Sequence, residues 1–254
     1  MAQVSIITIV KNNSLGLKKS LTSALSQSFK DWECLVIVAN SEDLTWNTAL
    51  DFQAADSRIK VFKEIRNGIY PAMNQGVSIA NSEYLVFMNA GDQFSDPESL
   101  DVLAREIESG DYSLVVGGYR VEGIASSYSF RRKSFYELAF SLNRRWGCHQ
   151  SMIFRSDVIT CIGAFSENYE IASDFDLVLK ALAIKKGLRI PQIISCIEPE
   201  GLSDTQIWKV LYEKQKSRRM NHQVISNSYI LGGFWTAAVA TKIICRKIFR
   251  KITS

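Results

Sequence analysis

Short apolar runs alternate with helix-like segments from residue 4 to about residue 120, and this alternation constrains the fold more than any other feature. The runs have the length and composition of buried strands: VSIITIV, ECLVIV, RIKVF, EYLVFM and YSLVVGGYRV. The segments between them place apolar residues at helical spacing, around residues 17–28, 45–55 and 70–80 and from Pro97 onward. Strands joined through helices form right-handed βαβ units, so the pattern predicts an α/β protein with a mostly parallel central sheet flanked by helices.

The bulk composition excludes several classes of protein. The 254 residues are 46% hydrophobic and 22% charged, as expected for a globular protein with one large or two small domains. The net charge is only +4, and the basic excess lies late in the chain, which argues against a nucleic-acid partner. The five cysteines are scattered without a CxxC pair, so we expect neither a disulfide framework nor a structural zinc site, and a reducing cytosol fits.

The stretch from Gly68 to Asp92 combines a helix, a strand and an acidic turn. Tyr84 to Met88 is an unbroken apolar run, and Asn89-Ala90-Gly91-Asp92 follows it directly. Ligands of open α/β sheets bind outside the carboxyl ends of the strands. Asp92 follows a glycine that permits close backbone approach, so it is a candidate to hold a divalent cation against a diphosphate. A plain β-turn explains the same residues without a ligand.

Polar side chains also follow the first two strands. Asn12 and Asn13 end the first strand, while Ser41 and Asp43 follow the second. With a nucleotide ligand these side chains would face the base and the ribose, and without one they would cap the loops. Neither GxGxxG nor GxxxxGK followed by Ser or Thr occurs after the first strand, which removes the dinucleotide fingerprint and the P-loop.

A second acidic cluster, Ser173-Asp174-Phe175-Asp176, begins a later predicted helix. Ser173 and Asp176 have the spacing of a capping box, which gives Asp176 a structural role. Residues two apart do not share a helix face, so Asp174 is the better candidate for a general base. His149 precedes an apolar strand and has no second His or Cys at metal-ligand spacing, so a structural role and a ligand contact both stay open for it.

Several ordered motifs resemble one known family. They are SIITIVKNN, SALSQSFKDWE, GIYPAMNQG, IANSEYLVFMNAGD, CHQSMIFR and IGAFSENYEIASDFDLVLKAL. Together they resemble the family 2 glycosyltransferases with the GT-A fold, of the type that assembles bacterial capsule, O-antigen and exopolysaccharides such as colanic acid. The resemblance covers about residues 3 to 190 and implies a Rossmann-like sheet and a glycosyltransferase of the hexosyltransferase type.

The resemblance also implies roles for particular residues. In this family a DxD-type motif after the fourth strand binds a divalent metal, Mg²⁺ or Mn²⁺, and the donor diphosphate, which makes Asp92 the metal ligand here. An acidic pair at the start of a later helix supplies the catalytic base, which maps onto Asp174. The positions implied to bind the sugar nucleotide are Thr8, Asn12, Asp43, Asn74, Asn89 and Gly91.

Two positions depart from the pattern of the family. Most relatives have an aspartate at the end of the second strand that contacts the nucleobase, whereas this chain has Val38-Ala39-Asn40. Pro71 replaces an acidic residue that is usual in sequences resembling GIYDAMN. The resemblance therefore does not indicate which base is bound.

The last part of the chain has a different composition. Residues 229–241 are uncharged, and residues 242–251 mix apolar and basic side chains. Thirteen uncharged residues fall short of the roughly 20 that span a bilayer. We predict a GT-A domain over residues 1–200, followed by a helical, basic segment over 201–254 that lies on an anionic membrane surface. A helix packed in the core and a true span are the alternatives.

The sequence as a whole predicts an inverting, metal-dependent glycosyltransferase that acts in bacterial surface polysaccharide synthesis. Its expected partners are a nucleotide-sugar donor, a saccharide acceptor linked to a polyprenol, and the membrane surface. Its expected location is cytoplasmic and peripheral on the inner face of the cytoplasmic membrane. The alternatives are a non-catalytic module that binds a sugar nucleotide or a protein partner, and a sugar-phosphate nucleotidyltransferase.

Overall fold

The computed structural model describes residues 2–136, 147–199, 201 and 205–221. The strands are β1 Val4–Val10, β2 Trp32–Val38, β3 Ile59–Lys63, β4 Tyr84–Phe87, β5 Gln93–Phe94, β6 Leu114–Val121, β7 Ser127–Tyr128, β8 Lys133–Phe135, β9 Met152–Arg155 and β10 Gly187–Ile197. The helices are α1 Ser14–Leu25, α2 Thr45–Ala55, α3 Ile69–Ile79, α4 Ser99–Glu108, α5 Ser156–Cys161, α6 Ser173–Ile184 and α7 Ile207–Met220. A short 3-10 turn, His149–Ser151, precedes β9.

The strands form one sheet in the order β3-β2-β1-β4-β9-β6-β10-β5, with β7 and β8 added beside β6 and β10. The longer strands β1, β2, β3, β4, β6 and β10 run in one direction, and β9 is antiparallel between β4 and β6. The predicted α/β fold with a mostly parallel sheet is confirmed. Because parallel strands share one carboxyl edge, the loops after β1, β2, β4, β6 and β10 meet there.

Both faces of the sheet are covered, because alternate residues of the central strands point to opposite faces. In β1, Ile6 packs in the cluster that contains α1 and α4, whereas Ile7 packs in the cluster that contains α3 and α6. In β2, Cys34 and Leu35 divide in the same way. This double burial explains why the central strands are continuous apolar runs instead of alternating ones.

Helix α3 lies close against the sheet. A Cβ on Gly76 would come within 2.4 Å of Ile7 Cγ2, so this contact requires glycine. Pro71 lies in the first turn of α3, where backbone N–H groups have no intrahelical partner, and the proline therefore removes no helical hydrogen bond. The GIYPAMNQG motif thus builds a tight helix–sheet contact.

The described part of the segment after β6 reaches both edges of the sheet. β7 pairs with Tyr119 and Arg120, near the carboxyl end of β6. β8 pairs with residues 187–189, at the amino end of β10 and hence at the opposite edge. This part of the chain therefore begins at the carboxyl edge of the sheet and reaches the amino edge. Residues 137–146 lie outside the described residues.

Helix α7 packs against α6 and buries Val210, Glu213 and Ser217. The division of the chain at residue 200 stays a prediction. Residues 222–254 of the predicted C-terminal segment, which include the part expected to contact a membrane, lie outside the described residues. Across the described ranges, no helix combines the length and the apolarity that crossing a bilayer requires.

Candidate active site

The loop after β4 is fixed by a serine of α1. The Gly91 amide donates to Ser20 Oγ at 2.9 Å, and Ser20 Oγ donates to the Asp92 carbonyl oxygen at 2.6 Å. Gly91 has a φ of 105°, a conformation that side-chain-bearing residues rarely adopt. Hydrogen bonds with Ser20 therefore fix the conformation of this loop.

Asp92 lies at the centre of this loop, with 7% of its surface exposed. Its Oδ2 accepts a hydrogen bond from Gln150 Nε2 at 2.7 Å, and its Oδ1 accepts one from the Glu198 amide at 3.1 Å. Burial raises the pKa of the Asp92 carboxyl above its ordinary value, and the hydrogen bonds only partly offset the effect. An ionised Asp92 is thus a buried charge that a cation would stabilise.

Glu198 brings a second carboxylate to the loop. A Cβ on Gly91 would lie 2.3 Å from Glu198 Oε2, so this carboxylate lies directly against the Gly91 backbone. Lys19 Nζ lies 3.5 Å from Glu198 Oε1 and 3.1 Å from Glu122 Oε2, and so partly neutralises the cluster.

The oxygens around this loop fit a divalent cation. Carboxylates and amide oxygens are the ligands that Mg²⁺ and Mn²⁺ prefer. Asp92 and Glu198 supply the carboxylates, and Asn89 Oδ1 is buried without a hydrogen-bond partner. Within the described ranges, no group of three His, Cys, Asp or Glu side chains could hold a metal ion.

Asp174 lies in the first turn of α6, with 19% of its side chain exposed. Its Oδ1 accepts from the Phe175 amide at 2.7 Å, and its Oδ2 lies 3.5 Å from His149 Nδ1. On the other side of the ring, His149 Nε2 lies 3.3 Å from Asn89 Nδ2. His149 therefore connects Asp174 to the loop that carries Asp92.

The capping box predicted for Ser173 and Asp176 is wrong. The N-cap of α6 is Ala172, the Ser173 amide donates to Tyr70 Oη at 3.1 Å, and Ser173 Oγ donates to the Ser166 carbonyl. Tertiary partners have replaced the local pattern. The nearby Asp174 charge adds to the burial that raises the pKa of Tyr70, as expected for a phenol beside this carboxylate.

Asp176 has a structural role through other contacts. It is 1% exposed, and its Oδ1 accepts from Ser217 Oγ at 2.7 Å and from Asn221 Nδ2 at 2.9 Å. Lys180 Nζ lies 2.7 Å from Asp176 Oδ2. Asp176 therefore ties the first turn of α6 to α7.

Glu213 of α7 holds the chain immediately before α6. Its carboxylate accepts hydrogen bonds from the amides of Glu170, Ile171 and Ala172, each at 2.9 Å. Glu213 is only 5% exposed, so these charge-assisted bonds are formed in a largely desolvated setting. The backbone that leads into Asp174 is therefore fixed by a helix later in the chain.

Asn12 and Asp43 lie at the carboxyl ends of β1 and β2 and tie the two loops together. The Asn12 amide donates to Ser41 Oγ at 3.0 Å, and Asn12 Oδ1 accepts from the Glu42 amide at 2.8 Å. Asp43 accepts from the amides of Ser14 and Thr45, and hydrogen bonds led by the Thr45 hydroxyl hold the pKa of the Asp43 carboxyl below its ordinary value. These residues shape this edge through protein contacts.

Thr8 and Asn74 do not join the other predicted residues. Thr8 is 1% exposed, and its Oγ1 lies 3.7 Å from Cys34 Sγ inside the core. Asn74 accepts from the Phe165 amide and donates to the Phe165 carbonyl, both at 2.9 Å. Both side chains are occupied by packing or backbone contacts, so we do not assign them a contact with a ligand.

The sequence analysis missed Ser20, Gln150, Glu198 and Glu213. Ser20 is a polar residue on the otherwise apolar face of α1, and that signal was present in the sequence. Gln150 follows His149 in CHQSMIFR, but nothing in the motif indicates that its amide reaches Asp92. Glu198 and Glu213 act across long sequence separations, so no local pattern marks them.

The fold is that of the GT-A glycosyltransferases. S. aureus TarS 1–349 superposes with a TM-score of 0.70 at 16% identity, covering 85% of this chain and 65% of that chain, so this chain spans just under two thirds of it. The mannosyltransferase PcManGT from Pyrobaculum calidifontis, solved with GDP-Man and Mn²⁺, gives a TM-score of 0.67 at 13% identity and covers 94% and 75%. TarS has also been solved in complex with UDP-GlcNAc.

The sequence defines the family. The profile of glycosyl transferase family 2 matches residues 5–165, and the chain belongs to this family. It is 25% identical over 250 residues to a PGL/p-HBAD biosynthesis glycosyltransferase of Mycobacterium tuberculosis, covering 96% of this chain and 95% of the relative. An uncharacterized glycosyltransferase of the same species is 28% identical over 213 residues and covers 78% and 76%. The protein is therefore a glycosyltransferase, as the sequence predicted.

Proposed function

We propose that the protein is an inverting, divalent-cation-dependent glycosyltransferase that moves a sugar from a nucleotide-sugar donor to a saccharide hydroxyl. The observation that supports this is the arrangement of Asp92 and Asp174 around one short turn, His149–Ser151, which contacts both carboxylates. A single displacement needs charge stabilisation at the leaving group and a base at the attacking hydroxyl, and two separated carboxylates match these needs.

Asp92 would hold the cation, with Glu198 and Asn89 Oδ1 beside it. A bound divalent cation neutralises the negative charge of the departing nucleoside diphosphate. The Asp92 carboxylate is fixed on both oxygens by Gln150 and the Glu198 amide, so its orientation is set before the substrate binds. The buried charge of Asp92 supports this assignment.

Asp174 would act as the base. Its carboxylate accepts the proton of the acceptor hydroxyl while the hydroxyl oxygen forms a bond to the anomeric carbon. The bond from that carbon to the diphosphate breaks on the opposite face, which gives inversion. A carboxylate is a sufficient base because a nucleoside diphosphate is a good leaving group.

The donor and the acceptor are proposed on separate grounds. The UDP-GlcNAc and GDP-Man in the names of the solved neighbours support a nucleotide sugar without indicating the base. A polyprenol-linked acceptor and a role in surface polysaccharide synthesis rest on the sequence, as does contact of residues 242–251 with an anionic membrane. If the full-length protein stays in the supernatant after membranes are sedimented in low salt, this membrane contact is excluded.

A donor panel tests the activity. The full chain is incubated with UDP-, GDP- and dTDP-sugars, Mg²⁺ or Mn²⁺ and a lipid-linked acceptor, and both nucleoside diphosphate and pyrophosphate are measured. We expect nucleoside diphosphate release that EDTA abolishes. Pyrophosphate as the product would indicate a nucleotidyltransferase, and binding without turnover would indicate a non-catalytic module.

A matched pair of variants connects the activity to the site. Asp92→Ala should remove the metal-dependent release, because it takes away the buried carboxylate of the proposed metal site and leaves only Glu198 and Asn89. Asp51→Ala changes an exposed aspartate of α2 and should leave the rate unchanged. An Asp92→Ala variant with full, EDTA-sensitive activity would contradict the proposed metal site.

A further inference from the structure

We propose that His149 is a positioning residue that orients the Asp174 carboxylate through its Nδ1–H group and connects this carboxylate to the Asn89 loop. This role rests on the proposed function, since it assigns Asp174 as the proton acceptor. It goes beyond that function by naming which ring nitrogen acts and what each side of the ring does.

The two contacts of the ring point to one tautomer. Asn89 Nδ2 is a hydrogen-bond donor, so His149 Nε2 at 3.3 Å accepts. A neutral imidazole with an accepting Nε2 carries its proton on Nδ1. Nδ1 lies 3.5 Å from Asp174 Oδ2, so a proton on this nitrogen is the ring proton near the carboxylate.

The turn that carries His149 is held by contacts of the residues next to His149. Gln150 Nε2 donates to Asp92, and Ser151 Oγ lies 2.5 Å from Ser195 Oγ of β10. The thiol of Cys148 lies 3.2 Å from Ser151 Oγ, and burial raises the pKa of this thiol to about 11, so it remains a neutral packing group. With only 15% of its side chain exposed, His149 has little freedom to turn.

The position of the carboxylate depends on this ring. Asp174 Oδ1 accepts from the Phe175 amide, which restrains one oxygen, and the charge of Lys214 also acts on this carboxylate. The His149 contact restrains the second oxygen. A base whose carboxylate is restrained at both oxygens presents its remaining lone pairs in one direction, which favours proton transfer from a bound hydroxyl. His149 itself neither gains nor loses a proton in this step.

Two substitutions separate the sides of the ring. In His149→Asn the amide nitrogen replaces Nδ1 and keeps a hydrogen-bond donor towards Asp174. In His149→Gln the amide oxygen replaces Nε2 as the acceptor from Asn89 Nδ2, and the donor towards Asp174 is lost. We expect kcat to fall about 10- to 100-fold in His149→Gln and only a few-fold in His149→Asn, as for one hydrogen bond to a charged group. KM for the nucleotide sugar and the thermal unfolding temperature should stay near wild-type values in both.

The opposite ranking of the two variants, or equal losses in both, would overturn the assignment of Nδ1. A rise in KM for the nucleotide sugar with kcat preserved would make His149 a contact of the sugar nucleotide instead. Chemical rescue gives a third kinetic readout: added imidazole should restore part of the kcat of His149→Gly.

Nuclear magnetic resonance tests the contact without turnover. The chain contains only two histidines, His149 and His222, so protein labelled with ¹⁵N-histidine gives two ring spin systems, and His222→Gln assigns them. We expect the Nδ1–H tautomer for His149, with an Nδ1 signal that moves in Asp174→Asn. An Nε2–H tautomer, or an Nδ1 signal that is unchanged in Asp174→Asn, would refute the contact. The two experiments distinguish the two hypotheses. Absence of nucleoside diphosphate release by the wild type would contradict the proposed function, whereas the tautomer of His149 tests its contact with Asp174 independently of activity.

Discussion

Asp174 and Asp176 lie two residues apart in the first turn of α6, and their surroundings differ in every respect that matters for chemistry. Asp174 is partly exposed and contacts the Phe175 amide and the His149 ring, which in turn contacts Asn89. Asp176 is 1% exposed and is surrounded by Tyr169, Lys180, Ser217 and Asn221. The comparison teaches that helical phase, not residue type, separates the proposed base from a structural carboxylate.

The largest expected effect comes from Asp174→Asn. The amide cannot accept the hydroxyl proton, so nucleoside diphosphate release should fall by about 100- to 10,000-fold, the usual range for loss of a general base. The unfolding temperature should change little, since few contacts depend on the charge. Steady-state release with the best sugar nucleotide measures the rate, and thermal unfolding measures the unfolding temperature. A folded Asp174→Asn variant with full activity would contradict the proposed difference between Asp174 and Asp176.

Asp176→Ala should affect the stability of the fold, in contrast to Asp174→Asn. Its loss leaves Lys180, Ser217 and Asn221 without their shared acceptor, so the free energy of unfolding should drop by about 2–4 kcal/mol. Urea unfolding of the two variants side by side measures the difference. Equal stability of Asp174→Asn and Asp176→Ala would remove the distinction between the two faces of α6.

Glu213→Gln sharpens the comparison from the side of α7. The variant keeps the size of the side chain but loses the charge that accepts three backbone amides, so we expect about 1–3 kcal/mol of destabilisation. Faster hydrogen exchange at the amides of residues 170–172 is the specific readout, with Glu106→Gln on α4 as the control. Unchanged exchange at these amides would show that α7 does not hold the turn before α6.

Asp92→Asn tests a third case, a buried carboxylate without a cationic partner of its own. Because burial raises the pKa of Asp92, the folded protein favours the protonated carboxyl. The contribution of Asp92 to the free energy of unfolding is therefore present below pH 3.8, the ordinary pKa of the group, and is lost as pH rises through the folded pKa. In EDTA at pH 7 the neutral variant should unfold at a slightly higher temperature than the wild type. The gap should close as pH falls towards 3.8, and added Mn²⁺ should stabilise only the wild type.

The sheet was predictable because its central strands are buried on both faces and therefore leave continuous apolar runs in the sequence. The positions of Asp92 and Asp174 at the candidate site were predicted from their places after β4 and at the start of α6, together with the family resemblance. Glu213 was not predictable, because its three bonds join residues more than forty positions apart and no periodicity records them. The capping box failed for the same reason: Tyr70, distant in sequence, replaced the local partner of Ser173.

The bonds of Glu213 also set an order of events during translation. A ribosome that has released residues up to 206 has already made the whole sheet and α6, but the turn before Asp174 still lacks its acceptor for three amides. Only when α7 emerges can this turn take its final shape. A nascent chain would then contain every strand of the sheet before it contains the acceptor for these three amides.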